Sequence, residues 1–173
     1  LRSVEALSRV DLGFDASHVL TLHVSGSYGW ETTDMAVQRI NRLIDAVGTL
    51  PGVESVAITS TLPGVRDQLQ LEFSLAEGRS EAATRMHAET RLVSPAYFQT
   101  LRIPLLAGEL CRRPEDAGGN TGVVTEALVN RRFVDLYLLD RDAIGLHLSG
   151  ALDGLAKNGH LSGNVPPSRI VGI

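Results

Sequence analysis

The stretch Glu89–Glu109, ETRLVSPAYFQTLRIPLLAGE, restricts the fold more than any other part of the chain. The residues leading into it, Arg85 to Val93, alternate β-compatible and charged side chains and predict a strand. Ser94-Pro95 reads as a helix start. A serine oxygen can accept from an orphan N–H there, and proline at the first helical position gives up a donor that has no partner anyway. Tyr97, Phe98 and Leu101 supply a short apolar face. Pro104 then forbids continuation, Leu105-Leu106 return the chain to the core, and Gly108 turns it out again. Strand, short helix and apolar re-entry make an anchor for neighbouring elements, and none of its side chains is chemically reactive.

Before this anchor the pattern is strand, helix, strand. Leu1 to Val10 repeats apolar residues every third position and reads as a helix continuing from upstream. His18 to Ser25 alternates and predicts a strand. Thr33 to Leu50 carries Val37, Ile40, Ile44 and Val47 on one face, with Thr33 and Asp34 as cap and Pro51-Gly52 as stop. Val53 to Ser60 is a second strand, and a connection of this length suits a crossover. Leu69 to Leu75 alternates and should pair with 85–93 as an antiparallel ribbon.

The second half repeats the order. Gly122-Val123-Val124 predicts a short strand, Glu126 to Leu138 a helix, Ile144 to Leu148 a strand and Ser168 to Ile173 a returning strand. The expected class is therefore α+β: two strand–helix–strand units on a mixed sheet, with an additional β ribbon. As a division, 15–62 and 95–173 form one lobe and 67–94 a smaller β-rich lobe, within one domain spanning 1–173. The ends read as cut, because the chain starts inside a periodic segment and stops in a core strand.

Chemistry is sparse. Net charge is −4 across 173 residues, which argues against nucleic acid, since phosphate binding needs a clustered basic face. A single cysteine, Cys111, allows no internal disulfide. Arg112-Arg113 beside it would favour a thiolate, but a small apolar filler explains it as well. His18 and His23 point to opposite faces of their predicted strand, and His87, His147 and His160 lack metal-ligand spacing, so no metal or other cofactor is expected. Gly118–Gly122 precedes a strand and not a helix, and the one lysine, Lys157, lies elsewhere, which removes the usual phosphate cradle. Glu126 with Arg131 and Arg132 suggests acid–base or anion chemistry, but a solvent-facing acid at a helix start is the simpler reading. Asp15, Glu54, Glu72 and Glu89 fall on different elements, and Ser17, Ser25 and Ser60 sit in no nucleophile elbow. No catalytic residue is assigned. Tyr28 and Trp30, with Arg66 and Asp67 in the 62–68 loop, are the candidate partner or ligand surface; packing of one aromatic on its own helix is the alternative.

Seven segments in order resemble the MacB-like periplasmic core domain of ABC-transporter permeases, whose membrane helices are FtsX-like. They are SRVDLGFDASHVLTLHV (8–24), LPGVESVAITSTLP (50–63), FSLAEG (73–78), RLVSPAYFQTLRIPLLAGE (91–109), VVTEALVNRRF (123–133), AIGLHL (143–148) and RIVGI (169–173). Cys111-Arg112-Arg113-Pro114 departs from the aromatic and acidic run usual there. The resemblance implies an extracytoplasmic domain at the inner membrane, with transmembrane helices on both sides of it in sequence. ATP would be hydrolysed by a separate ATPase subunit or fused domain, and a second permease copy or an adaptor protein would be the partner outside. The expected function is non-catalytic: coupling ATP hydrolysis to efflux or mechanical work. A stand-alone extracytoplasmic ligand-binding or sensory module is the alternative, with a pocket near Tyr28, Trp30 and the 62–68 loop; a small hydrolase is a third.

Overall fold

A computed structural model describes residues 13–24, 33–65, 69–76, 86–112, 126–138, 141–150 and 167–173. The chain is α+β. Its described elements are α1 (Thr33–Gly48), β1 (Leu69–Leu75), β2 (Met86–Thr90), α2 (Tyr97–Thr100), β3 (Glu126–Leu128), α3 (Arg131–Tyr137), β4 (His147–Ser149) and β5 (Ser168–Gly172). The strands form one mixed five-stranded sheet in the order β2-β1-β4-β5-β3. Among the described strands only the β3–β5 pair is parallel. No helix among the described residues is long and apolar enough to cross a membrane.

The ribbon follows from alternation. Leu71 and Phe73 of β1 are buried while Gln70 and Glu72 are exposed, and Met86 of β2 is buried while His87 and Glu89 are exposed. Phe73 stands opposite Met86, and Leu69 opposite Thr90. β1 also pairs with β4 through Ser74–Ser149 and Leu75–Leu148, so the ribbon and the second half share one sheet.

The core lies under this sheet. Leu71, Phe73, Met86, Phe133, Leu138, Ala143, Leu148 and Ile170 form one buried cluster. Phe133 of α3 meets Phe73 edge-on at 6.2 Å and Tyr137 at 5.1 Å. Each such side chain contributes about 1.5–3 kcal/mol by leaving water. The Tyr137 hydroxyl donates to the His87 carbonyl at 2.9 Å and so ties α3 to the outermost strand.

Three expectations are corrected. Glu126 opens a strand, not a helix: α3 starts only at Arg131, because the Asn130 side chain accepts the Phe133 N–H at 2.8 Å and fixes the cap there. The segments 18–24 and 53–60 flank α1 as expected, yet neither joins the sheet; 53–60 makes a single bridge, Thr59–Val93. Ser94 does not cap α2: its oxygen accepts the Ile58 N–H at 2.9 Å, across from another segment. The strand expected at Gly122–Val124 and the helix expected at 1–10 lie outside the described residues.

α2 ends in a Schellman turn. Arg102 N–H donates to Gln99 O at 3.1 Å and Ile103 N–H to Phe98 O at 2.8 Å. Arg102 occupies the left-handed position, φ 51°, that glycine usually takes. The re-entry that follows runs beside β5: Leu106 N–H donates to Ile173 O at 2.7 Å, Glu109 N–H to Val171 O at 2.9 Å and Ile173 N–H to Ala107 O at 3.0 Å. β5 is thus bordered by β4 along its first half and by 106–109 along its second.

Candidate functional site

Tyr28, Trp30, Arg66 and Asp67, the surface expected from sequence, lie outside the described residues, as do Ser25, His160, Lys157 and Gly118–Gly122. Among the described residues, no group of three His, Cys, Asp or Glu side chains is placed to hold a metal ion. His18, His23 and His87 are exposed, and His147 is half-buried on β4.

The structure instead assembles a polar cluster at one end of the sheet. β3 and β5 set Glu126 beside Arg169, and β4 sets His147 on the other side of Arg169. The loop after Gly108 brings in Arg112. The Glu126 carboxylate accepts the Arg112 backbone N–H at 2.8 Å. It also lies 3.2 Å from the Arg112 guanidinium and 3.6 Å from that of Arg169. Glu109 stands 3.8 Å from Arg112. Glu126's side chain is only 11% exposed, whereas both arginines are about half exposed. A nearly buried carboxylate needs such partners, because an unpaired one would carry a large desolvation cost. The carboxylate thereby clamps Arg112 to the sheet while also facing Arg169 of β5. Arg131 and Arg132, the partners suggested by sequence, are exposed on α3, and among the described residues the ion pairs of Glu126 go to Arg112 and Arg169 instead.

Cys111 sits within this cluster. Burial pushes its thiol up to about 11, and the Glu126 charge pushes in the same direction. Of the two sequence readings the structure favours the small filler over an arginine-activated thiolate: the Arg112 guanidinium is turned to Glu126, and the thiol stays protonated at neutral pH.

A second polar contact fixes the start of the described chain. Asp15 N–H donates to Leu101 O at 2.9 Å, and Arg102 reaches the Asp15 carboxylate at 2.6 Å. Hydrogen bonds from Ser17 and then Arg102 hold the Asp15 carboxyl at about 2. The strained conformation of Arg102 thus places the guanidinium that a glycine would lack.

An open groove of about 510 Å³ lies between the end of α1 and residues 53–56, lined by Ile44, Asp45, Val53, Glu54, Ser55 and Val56 among others. Asp45 and Glu54 are exposed, so the groove has an apolar floor and acidic margins. Ser55 shares a hydrogen bond of 2.7 Å with Thr100 of α2.

Glu126 was the residue whose role sequence reading missed. Its partners, Arg112 and Arg169, come from two segments apart in sequence, and the register of β3 and β5 brings them together. Glu54, Glu72 and Glu89 stay on separate elements. The sequence matches no known family model and no curated protein.

Proposed function

We propose that the chain is a non-catalytic extracytoplasmic domain of an ABC-transporter permease, of the MacB-like periplasmic core type. The observation that carries this reading is the order and spacing of the seven resembling segments along the chain. The jobs done by their residues support it. Gly108 permits close backbone approach to β5, Tyr97 and Leu101 are buried, and Glu126 clamps a loop. These are shape-keeping roles, as a domain that transmits motion requires.

In this reading the work is done by differential contact. The domain has two arrangements, and the nucleotide state of an ATPase subunit or fused domain biases their balance through flanking transmembrane helices. A second permease copy or an adaptor protein meets it on the outer side of the inner membrane. The result is efflux or mechanical work.

The test uses reporter fusions in the native reading frame. Alkaline phosphatase fused after Ile173, with the upstream frame intact, should be active in a bacterial host, and β-galactosidase at the same position inactive. The frame should also encode an apolar run of about 20 residues ahead of Leu1. The reverse reporter pattern, with no such run, overturns the proposal.

A further inference from the structure

β2 ends the sheet, and register decides which of its backbone groups lie on the outer edge. Ala76 N–H donates to His147 O at 2.9 Å, so the even-numbered residues of β1 turn their backbone groups toward β4. The Glu72 carbonyl, which a Cβ on Gly150 would meet, points the same way. Leu71 and Phe73 therefore make the ladder to Ala88 and Met86. His87 and Glu89, opposite Glu72 and Gln70, turn their N–H and C=O groups away from β1. The Tyr137 hydroxyl reaches the His87 carbonyl from that outer side and occupies one of its two lone pairs. Among the described residues no backbone group meets the His87 N–H or either group of Glu89.

Open edges are commonly blunted by lysine, proline or a bulge. The strand MHAET has none of these, and its register with β1 is unbroken. Its side chains instead fit their own reverse. Turned end for end about Ala88, the strand overlaps itself over its whole length and sets His87 opposite Glu89, with Met86 opposite Thr90. His87 and Glu89 are exposed on one face of the sheet. An imidazole has at least one N–H to donate and a carboxylate only accepts, so the two complement each other across the pair. Centring on His87 or on Glu89 would set like against like and shorten the overlap. The backbone agrees with the Ala88 register. His87 and Glu89 then exchange the open N–H and C=O groups, and Ala88 meets Ala88 at the close, non-hydrogen-bonded position.

We propose that β2 is a self-association edge: two copies of this chain join antiparallel through Met86–Thr90, about a two-fold axis at Ala88, and the sheet continues from one copy into the other. The strand is short, so the association is weak, with a Kd of roughly 10–100 μM. The inference stands apart from the transporter reading, and its failure would leave the reporter-fusion test untouched.

Sedimentation equilibrium on the 173-residue chain, between about 5 and 500 μM, should show dimers growing in with concentration. Glu89→Pro removes an outward N–H and spares the ladder to β1, so it should weaken association at least about tenfold with the circular dichroism unchanged. His87→Glu should weaken it by about tenfold as well, and adding Glu89→His should recover most of the loss. Glu72 faces residue 87 in both of these variants, so the recovery reports the second copy. In a Cys111→Ser background, Ala88→Cys should cross-link to a covalent dimer in glutathione buffer, because Cα atoms at the close position lie within disulfide reach. His87→Cys, two residues out of step with its copy, should not. A monomer at every concentration overturns the proposal. Hydrogen exchange at His87 and Glu89 then separates an edge covered by another segment of this chain, with slowed amides, from one left open to a different protein, with free-peptide rates. Equal cross-linking of the two cysteine variants, or no recovery in the double variant, also overturns it.

Discussion

Gly108 and Gly172 meet backbone to backbone: a Cβ on Gly108 would overlap the Val171 carbonyl oxygen and stand 2.9 Å from the Gly172 Cα. The two residues also form a bridge, and Gly108 has φ 81°. This contact seats the re-entry against β5, and with it the loop that carries Cys111 and Arg112.

Gly108→Ala should therefore be costly twice over, once for the left-handed backbone and once for overlap with atoms that cannot move aside. We expect a loss of about 3 kcal/mol or more. Gly52→Ala is the control. Gly52 has φ 85° in a Leu50–Val53 turn, but its Cβ would meet nothing within 4 Å. It should lose only about 1 kcal/mol. Urea unfolding of the two variants measures the difference, and equal losses would show that the close approach is not maintained.

The sequence made some of this legible. The 3.6-residue period of Val37, Ile40, Ile44 and Val47 located α1, and strict alternation located β1 and β2 with their buried faces. Gly108 was recognisable as a turn but not as a packing residue, since its neighbour lies over sixty positions away in sequence. Residues 126–138 misled because EALVNRRFVDLYL has helical spacing throughout; only the Asn130 cap separates strand from helix. Alternation over 18–24 predicts a strand, but it is a local property, whereas pairing depends on a partner edge. The Glu126 cluster was illegible for the same reason, as it exists only once register is set.

Glu126→Gln should keep the shape of the cluster and remove its charge. Hydrogen bonds to ionised groups are worth about 1.5–3 kcal/mol, and the half-exposed arginines reduce this, so we expect a loss of about 1–2 kcal/mol. Cys111 reports the change independently. With the Glu126 charge gone, its titration should fall below the wild-type value of about 11, though burial keeps it above the ordinary 9. Iodoacetamide labelling rates between pH 8 and 11 should thus rise at lower pH in the variant. The sign for stability follows: a thiol raised on folding favours the folded state fully below its unfolded value of about 9, and loses that contribution as pH climbs toward 11.

Asp15 gives the opposite pH dependence. Its carboxyl is lowered from 3.8 to about 2 by Ser17 and Arg102, so its contribution is complete above pH 4 and disappears as pH falls through 2. Asp15→Asn should lower the melting temperature at pH 6, and the gap from wild type should close on acidification across that window. A gap that is unchanged from pH 6 to pH 2 would show that the carboxylate charge has no part in it.

Tyr97 provides the test in which a side-chain deletion should do no harm. The residue is 4% exposed and its ring packs edge-on against Phe98 at 5.5 Å, but its hydroxyl is buried with no hydrogen-bond partner among the described residues. A buried hydroxyl without a partner costs about 1–3 kcal/mol in lost hydration, while the ring repays several. Tyr97→Phe removes the cost and keeps the ring, so stability should hold or rise by about 1 kcal/mol. Tyr97→Ala removes the ring as well and should cost about 3–5 kcal/mol. Thermal unfolding of the pair separates the two contributions. If Tyr97→Phe loses more than about 1 kcal/mol, the hydroxyl has a partner in solution, and the anchor around α2 is held by a polar contact as well as by packing.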